Sequence, residues 1–308
     1  MLRLGIVDCD TSHVVAFTQR LNHIDIDEEQ WVEGARVVAA VPGTSLVSPE
    51  RIAGFVQQLR GYDIAILDRP DQLLGRVDAI LIESIDGSVH LERALPFIEA
   101  GLPLFVDKPL ATSLAAARRL VEAAQARGVP LGSASALRYA PEVREVLRRR
   151  EEFGTVLGAD THTPALLHPR NPGLFHYGVH GVEMLAALLG PGCRTIRCTL
   201  EEGTEVVVGR WADGRLGTVR GTRRGPYALG FTAFCERQVI ARAIDARFCY
   251  RELLKAVVGM FETGRWLLPP EELLESVAFQ EAALRSAQRG GEEVPLAHHE
   301  EDADGRAG

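Results

Sequence analysis

Lys108 closes the stretch Leu102-Pro103-Leu104-Phe105-Val106-Asp107-Lys108-Pro109. A short apolar run between helical segments is the pattern of a buried strand in a parallel sheet. Ligands of such sheets bind beyond the carboxyl ends of the strands. Lys108 therefore arrives where a cationic electrophile would be placed, and Pro109 biases it toward extended backbone. A solvated lysine before a turn is the alternative. A second constellation is His176-Tyr177-Gly178-Val179-His180-Gly181-Val182-Glu183. On a continuous helix His176, His180 and Glu183 would share a face, although the glycines argue for a helix that starts only near Gly181. Three readings stand: acid/base or substrate-binding groups, a metal site of His-x3-His plus a carboxylate, and structural histidines at a helix start. A third polar run, Asp8-Cys9-Asp10-Thr11-Ser12-His13, follows the first strand. There Asp10 or Thr11 would cap the next helix; otherwise Asp8, Asp10 and His13 form a polar site for a metal or a hydroxylated ligand.

The elements that must position these residues follow from periodicity. Strands at 2–7, 35–41, 63–67, 77–83 and 102–106 alternate with helices at about 11–22, 49–60, 88–100 and 113–127, and a sixth strand follows Pro130. Such alternation means a doubly wound parallel sheet with right-handed crossovers, a Rossmann-like α/β domain. Beyond Ser133 the pattern changes. After helices at 141–150 and 182–189 and a strand at 156–163, strands at 195–200, 205–211, 216–222, 227–235 and 238–243 follow one another through short turns. This predicts an α+β domain with a mainly antiparallel sheet, closed by helices at 250–263 and 270–288. Residues 1–133 are expected to bind a dinucleotide, and residues 134–308 to bind substrate and carry the oligomer interface. Val206, Val208, Val219, Leu229 and Phe231 are the apolar sheet positions that a partner subunit would cover, in a homodimer or homotetramer.

Composition limits the function. The 308-residue chain is 46% hydrophobic and 25% charged, which is ordinary for a globular protein. A net charge of −8 argues against nucleic acid or an anionic membrane as partner and leaves a small-molecule substrate. Met1 leads at once into a strand, so no leader peptide is expected, and no apolar run is long enough to span a bilayer. The five cysteines include no CxxC pair, pointing to free thiols in a reducing cytoplasm. The polar stretch from His298 onward reads as a disordered tail.

Several of these motifs together resemble the Gfo/Idh/MocA oxidoreductase family, whose members usually show Glu-Lys-Pro and then Asp-x-Gly-x-His-x-x-Asp. Here the counterparts are Asp107-Lys108-Pro109 and His176-x-Gly178-x-His180-x-x-Glu183, with Leu188-Leu189-Gly190 beyond. Arg138-Tyr139-Ala140-Pro141 resembles the family's Arg-aromatic-x-Pro crossover, Phe153-Gly154-Thr155-Val156 its turn into the next strand, and Ala282-Ala283-Leu284-Arg285-Ser286 its closing helix. The resemblance implies an NAD(P)-dependent oxidoreductase acting on a sugar, polyol or related hydroxy compound. It makes Lys108 and His180 catalytic, with His176 where the family has an Asp. It assigns Arg138, Tyr139, His162 and His176 to substrate. Asp10, Thr11, Ser12, His13, Ser84, Asp86, His90, Asp107 and Lys108 would border the cofactor, and no metal ligand is assigned. Readings outside hydride transfer remain: a metal-dependent lyase or isomerase using His176, His180 and Glu183, or a non-catalytic binding protein on the same scaffold.

Two departures bear on the cofactor. The family's Gly-x-Gly-x-x-Gly turn is replaced at all three glycines, by Asp8, Asp10 and His13. The second strand ends Val41-Pro42-Gly43-Thr44-Ser45 without the acidic residue that holds an NAD ribose, and Arg51 nearby could accept a 2′-phosphate, favouring NADP over NAD. Weak dinucleotide affinity, or a demand for a divalent cation, is the expected consequence.

Overall fold

The structure, a computed structural model, describes residues 1–297. The tail expected to be disordered, from His298, lies outside the described residues. The chain forms two compact units. The first holds residues 1–111, 115–134 and 250–270, and the second holds 112–114, 135–249 and the chain from 271 onward.

In the first unit β1 (Leu2–Val7), α1 (His13–Asn22), β2 (Ala35–Val41), α2 (Pro49–Gly61), β3 (Ala65–Ile66), β4 (Ala79–Ile82), α3 (His90–Glu99), β5 (Leu104–Val106), α4 (Leu114–Arg127) and β6 (Leu131–Gly132) alternate as the periodicity predicts. The sheet order is β3-β2-β1-β4-β5-β6, and its ladders are parallel. Ile80, Leu81, Ile82, Leu104, Phe105 and Val106 have no exposed surface, because both faces of such a sheet are covered; this is why these strands are unbroken apolar runs. Gly128 ends α4 at φ +65°, a left-handed position where a side chain would be strained.

The second unit contains α5 (Pro141–Arg148), α6 (Arg150–Phe153), β7 (Val156–Pro164), α7 (Val179–Leu189), β8 (Cys193–Glu201), β9 (Thr204–Trp211), β10 (Leu216–Thr222), β11 (Gly230–Cys235) and β12 (Val239–Ala243). Then come α8 (Cys249–Thr263), α9 (Pro270–Gln288) and β13 (Val294–Pro295). Its seven strands run in the order β12-β11-β7-β10-β9-β8-β13, antiparallel except for the β7–β10 pair. α7 packs on one face: a Cβ on Gly181 would meet Thr163 and Val219 at 2.8 Å, and one on Gly217 would meet Leu189 at 2.6 Å.

A single cut at residue 133 is corrected in one respect. Nearly all of α8 and the chain through Pro270 belong with the first unit. Gly132 lies so close to this segment that a Cβ there would come within 2.7 Å of Leu267 and 2.9 Å of Met260, and the Tyr250 ring meets Phe17 edge-on at 5.5 Å. A helical pattern alone does not show which sheet a helix will cover.

Candidate active site

Three adjacent strands deliver an acidic residue each to the carboxyl edge of the first sheet. Asp8, Glu83 and Asp107 are the first residues after β1, β4 and β5. Their backbone N–H groups still donate along the ladder, to Val41 (2.9 Å), Val7 (2.9 Å) and Ile82 (2.8 Å). Because β1 connects to β2 on one side and neighbours β4 on the other, this edge is the topological switch point where doubly wound sheets bind ligands.

His13, on the first turn of α1, joins Glu83 and Asp107. Its Nδ1 lies 3.0 Å from Asp107 Oδ2 and 3.6 Å from Glu83 Oε2, the second too long for a hydrogen bond. The ring stacks on Phe17 at 5.0 Å and meets the edge of Tyr250 at 5.0 Å. Lys108 completes the group. Its Nζ is 3.3 Å from Asp107 Oδ2, and its backbone N–H donates to Asp107 Oδ1 at 2.7 Å. The Lys108–Pro109 peptide is cis. The electrostatics follow from burial and pairing. Burial pushes the Glu83 carboxyl up to about 7. Burial also works to raise Asp107, but the charges of His13 and Lys108 outweigh it and hold that carboxyl well below its usual range. For His13 burial works downward, and Asp107 more than reverses it. One strongly ionised carboxylate and one near neutrality therefore stand beside the lysine, an arrangement that can hold an ammonium and move a proton.

The other first-unit candidates divide. Asp8 sits at φ 66°, as the first fingerprint glycine would, a conformation that Asp tolerates better than most. Its carboxylate accepts from Ser84 Oγ at 2.5 Å and from Arg93 Nε at 3.1 Å. Asp10 does not cap α1. It accepts the Ile85 N–H at 2.9 Å, across 75 residues, and burial raises its carboxyl. Thr11 does not cap it either; Ser12 is the residue before α1, exposed and without a side-chain cap bond. Asp86 accepts from Ser88 N and Oγ, which shapes its own turn. His90, expected at the cofactor edge, is wholly buried instead. Its Nδ1 lies 2.9 Å from the Pro109 carbonyl and its Nε2 2.8 Å from that of Ser84, so the ring ties the β4 exit loop to the Lys108–Pro109 turn. Arg51 lies over the Phe55 ring at 5.0 Å.

In the second unit His180 stands on the first turn of α7, with Nδ1 2.6 Å from Ser135 Oγ. Ser135 is wholly buried, and its oxygen also accepts the Leu137 N–H at 3.1 Å. The Ser135 hydroxyl thus fixes the His180 ring from a neutral group. His176 does not share the helix face, because α7 begins at Val179; its ring lies 5.5 Å from His168 and 5.0 Å from Tyr177. Glu183 is turned away as well, accepting from Arg138 Nε at 2.9 Å and from Ser276 Oγ at 2.5 Å. Among the described residues, the group able to hold a metal is His13, Glu83 and Asp107, and not His176, His180 and Glu183. Arg138, expected at the substrate, is buried and engaged with Glu183 and Glu272, and Tyr139 is buried with it. His162 is on the wrong side for a shared site with His180. It pairs with Arg220 and Gly230 and helps line a shallow polar pocket with Asp160, Thr218 and Arg220, on the sheet face opposite the Thr161, Thr163 and Val219 surface that meets α7.

Glu83, Arg93, Ser135 and Tyr250 escape a reading of the sequence. Only Glu83 carried a signal there, as a charge set directly after a buried apolar strand.

Comparison with known proteins finds likenesses to dehydrogenases over part of the chain. Residues 39–135 match the model described as an oxidoreductase family with an NAD-binding Rossmann fold. Inositol 2-dehydrogenase of Paracoccus denitrificans is 38% identical over 113 residues, 36% of this chain and 30% of that protein. The enzyme of that name from Cereibacter sphaeroides is 30% identical over 178 residues, 56% of this chain and 46% of that one. The match thus spans less than half the length of either relative. Among solved structures, scyllo-inositol dehydrogenase from Lactobacillus casei, with bound NAD(H) and scyllo-inositol, superposes with a TM-score of 0.77 at 12% identity, covering 96% of this chain and 99% of that one. At that identity the likeness is one of fold.

Proposed function

We propose that the chain is an NAD(P)-dependent oxidoreductase of the Gfo/Idh/MocA kind acting on the CH–OH group of a sugar or polyol, a reading supported by the family match over residues 39–135 and the likeness to inositol 2-dehydrogenases. The inositol class comes first among candidate substrates, after the relatives' names. The observation that carries this reading is Lys108, held by Asp107 at the carboxyl end of β5. Lys108 polarises the substrate oxygen as an ammonium, while His180, positioned by Ser135, takes the hydroxyl proton. The dinucleotide, when bound, supplies the hydride acceptor.

The residues at the switch point fit such a cofactor. α1 starts without a side-chain cap, at exposed Ser12, so the positive end of its dipole faces outward as a phosphate requires. Asp10, bonded to Ile85, does not occupy it. Arg93 offsets the charge of Asp8. Thr11, Ser12 and Arg93 would hold the phosphates, and Arg51 at the start of α2, with no acid at the end of β2, favours NADP. Asp8 still opposes them: its Oδ1 lies 1.7 Å from where a Gly43 Cβ would stand, so its carboxylate fills the gap between the ends of β1 and β2. An unrelieved charge pair at about 5 Å and an effective dielectric of about 20 costs roughly 3 kcal/mol, and Arg93 removes part of that. Calorimetry with NADH and NADPH should therefore show Asp8→Gly binding about tenfold tighter than the unmodified chain. Unchanged or weaker binding by Asp8→Gly would show that the carboxylate points away from the phosphates.

The open face of the second sheet supports a homodimer or homotetramer. Val219 and Phe231 drop out of the expected patch, since both are buried on the α7 side. Val206 and Val208 remain, joined by Leu216 and Phe234, 47% and 40% exposed. Light scattering at micromolar concentration should give at least a dimer, and Val206→Asp/Val208→Asp should dissociate it. The five cysteines are all buried and free, which supports a cytoplasmic protein. No described helix is long and apolar enough to cross a membrane.

A further inference from the structure

Donors from three elements converge beside Lys108: His13 from α1, Glu83 from the end of β4 and Asp107 from the end of β5. One ligand atom from each lies within 4.8 Å of the others, and all three residues are buried. Glu83 has no exposed surface, and neither of its oxygens has a hydrogen-bond partner; His13 Nδ1 faces both carboxylates, 3.0 Å from Asp107 and 3.6 Å from Glu83. A buried carboxylate without a hydrogen-bond donor carries a desolvation penalty that the nearby charges of His13 and Lys108 offset only in part. A cation placed between the two carboxylates and the imidazole nitrogen would remove that penalty.

We propose that His13, Glu83 and Asp107 bind a divalent transition cation, Zn²⁺ or Mn²⁺, at the carboxyl ends of β4 and β5, with coordination positions left for water or a substrate oxygen. The separations from His13 to the two carboxylates match. A cation roughly 2.0–2.2 Å from each donor sets neighbouring donors about 3 Å apart in an octahedron and about 3.5 Å apart in a tetrahedron. His13 Nδ1 is 3.0 Å from Asp107 Oδ2 and 3.6 Å from Glu83 Oε2. One imidazole with two carboxylates suits Zn²⁺ or Mn²⁺ and offers too few oxygens for Ca²⁺. The surroundings orient the donors. The Lys108 N–H holds Asp107 Oδ1 at 2.7 Å and leaves Oδ2 toward His13, while Phe17 and Tyr250 fix the His13 ring. Lys108 Nζ, 3.3 Å from Asp107 Oδ2, is the competing cation, and its flexible stem lets it swing outward. The side chains of His13 and Lys108 are 10% and 11% exposed.

The site stands without the dehydrogenase assignment, because its test reads binding rather than turnover. The full chain carrying His298→Ala/His299→Ala, which removes two adjacent imidazoles as competing ligands, is treated with chelator and titrated with Zn²⁺ and Mn²⁺ by calorimetry, with metal analysis after dialysis. One ion per chain is expected. Glu83→Gln keeps the side-chain shape and removes the charge, and it should weaken binding by about a hundredfold; His13→Gln should do the same. If either variant fails to fold, the other decides. No stoichiometric ion at about 1 mM free metal, or an affinity that neither substitution changes, overturns the proposal.

Discussion

Lys108→Ala should fold normally and lose about 10²- to 10³-fold in kcat/KM, the scale of removing one preorganised charge from a developing oxyanion. The fold should survive because Asp107 keeps His13 3.0 Å away and the Lys108 N–H on its other oxygen. The buried carboxylate is then not left unpaired, which is the usual cause of a large stability loss at such a site. Lys108→Arg should not restore turnover. A planar guanidinium cannot replace a compact ammonium between Asp107 and a substrate oxygen. Steady-state kinetics check this, with thermal melts as the folding control. Turnover of the alanine variant within about tenfold of the unmodified chain would remove Lys108 from the chemistry.

His180→Asn should cost about 10²- to 10⁴-fold in kcat, the usual contribution of a positioned acid/base group. His176→Asn should cost less than about tenfold, because its ring lies against His168 and Tyr177 outside α7. Ser135 separates a positioning role from a merely structural one. Ser135→Ala removes the 2.6 Å contact to His180 Nδ1 and should lower kcat while leaving KM nearly unchanged. Ser135→Thr keeps the hydroxyl and should recover most of the loss. Equal losses at His176 and His180, or a Ser135→Ala effect confined to KM, would contradict the assignment.

The first sheet was legible because its strands are buried on both faces. Runs such as Ala79-Ile80-Leu81-Ile82 and Leu104-Phe105-Val106 can be little else between helices. The placement of Lys108 was legible for the same reason, since a charged residue directly after a buried strand must sit at the sheet edge. What surrounds Lys108 was not. His13, Glu83 and Asp107 meet because β1, β4 and β5 are neighbours, and no local pattern encodes that order. Asp10 shows how local chemistry misleads. An Asp just before a helix has the form of a cap, but its partner is the Ile85 N–H, 75 residues away. His90 misled in the opposite way. A histidine after a Ser- and Gly-containing loop looks the same whether its ring faces a cofactor or, as here, two backbone carbonyls. The Ser135–His180 contact likewise joins a crossover segment to a helix 45 residues on, where neither residue's own surroundings announce the other.

Hydride transfer itself can be observed directly. The unmodified chain is incubated with NAD or NADP and a cyclic polyol deuterated at its CH–OH carbons, and the reduced dinucleotide is analysed by mass spectrometry. The account predicts one deuterium in each reduced dinucleotide formed, its accumulation slowed about 10²- to 10³-fold with Lys108→Ala, and faster transfer to NADP than to NAD. Absence of deuterated dinucleotide across a panel of sugars and cyclic polyols, in a chain shown by calorimetry to bind the cofactor, would contradict it.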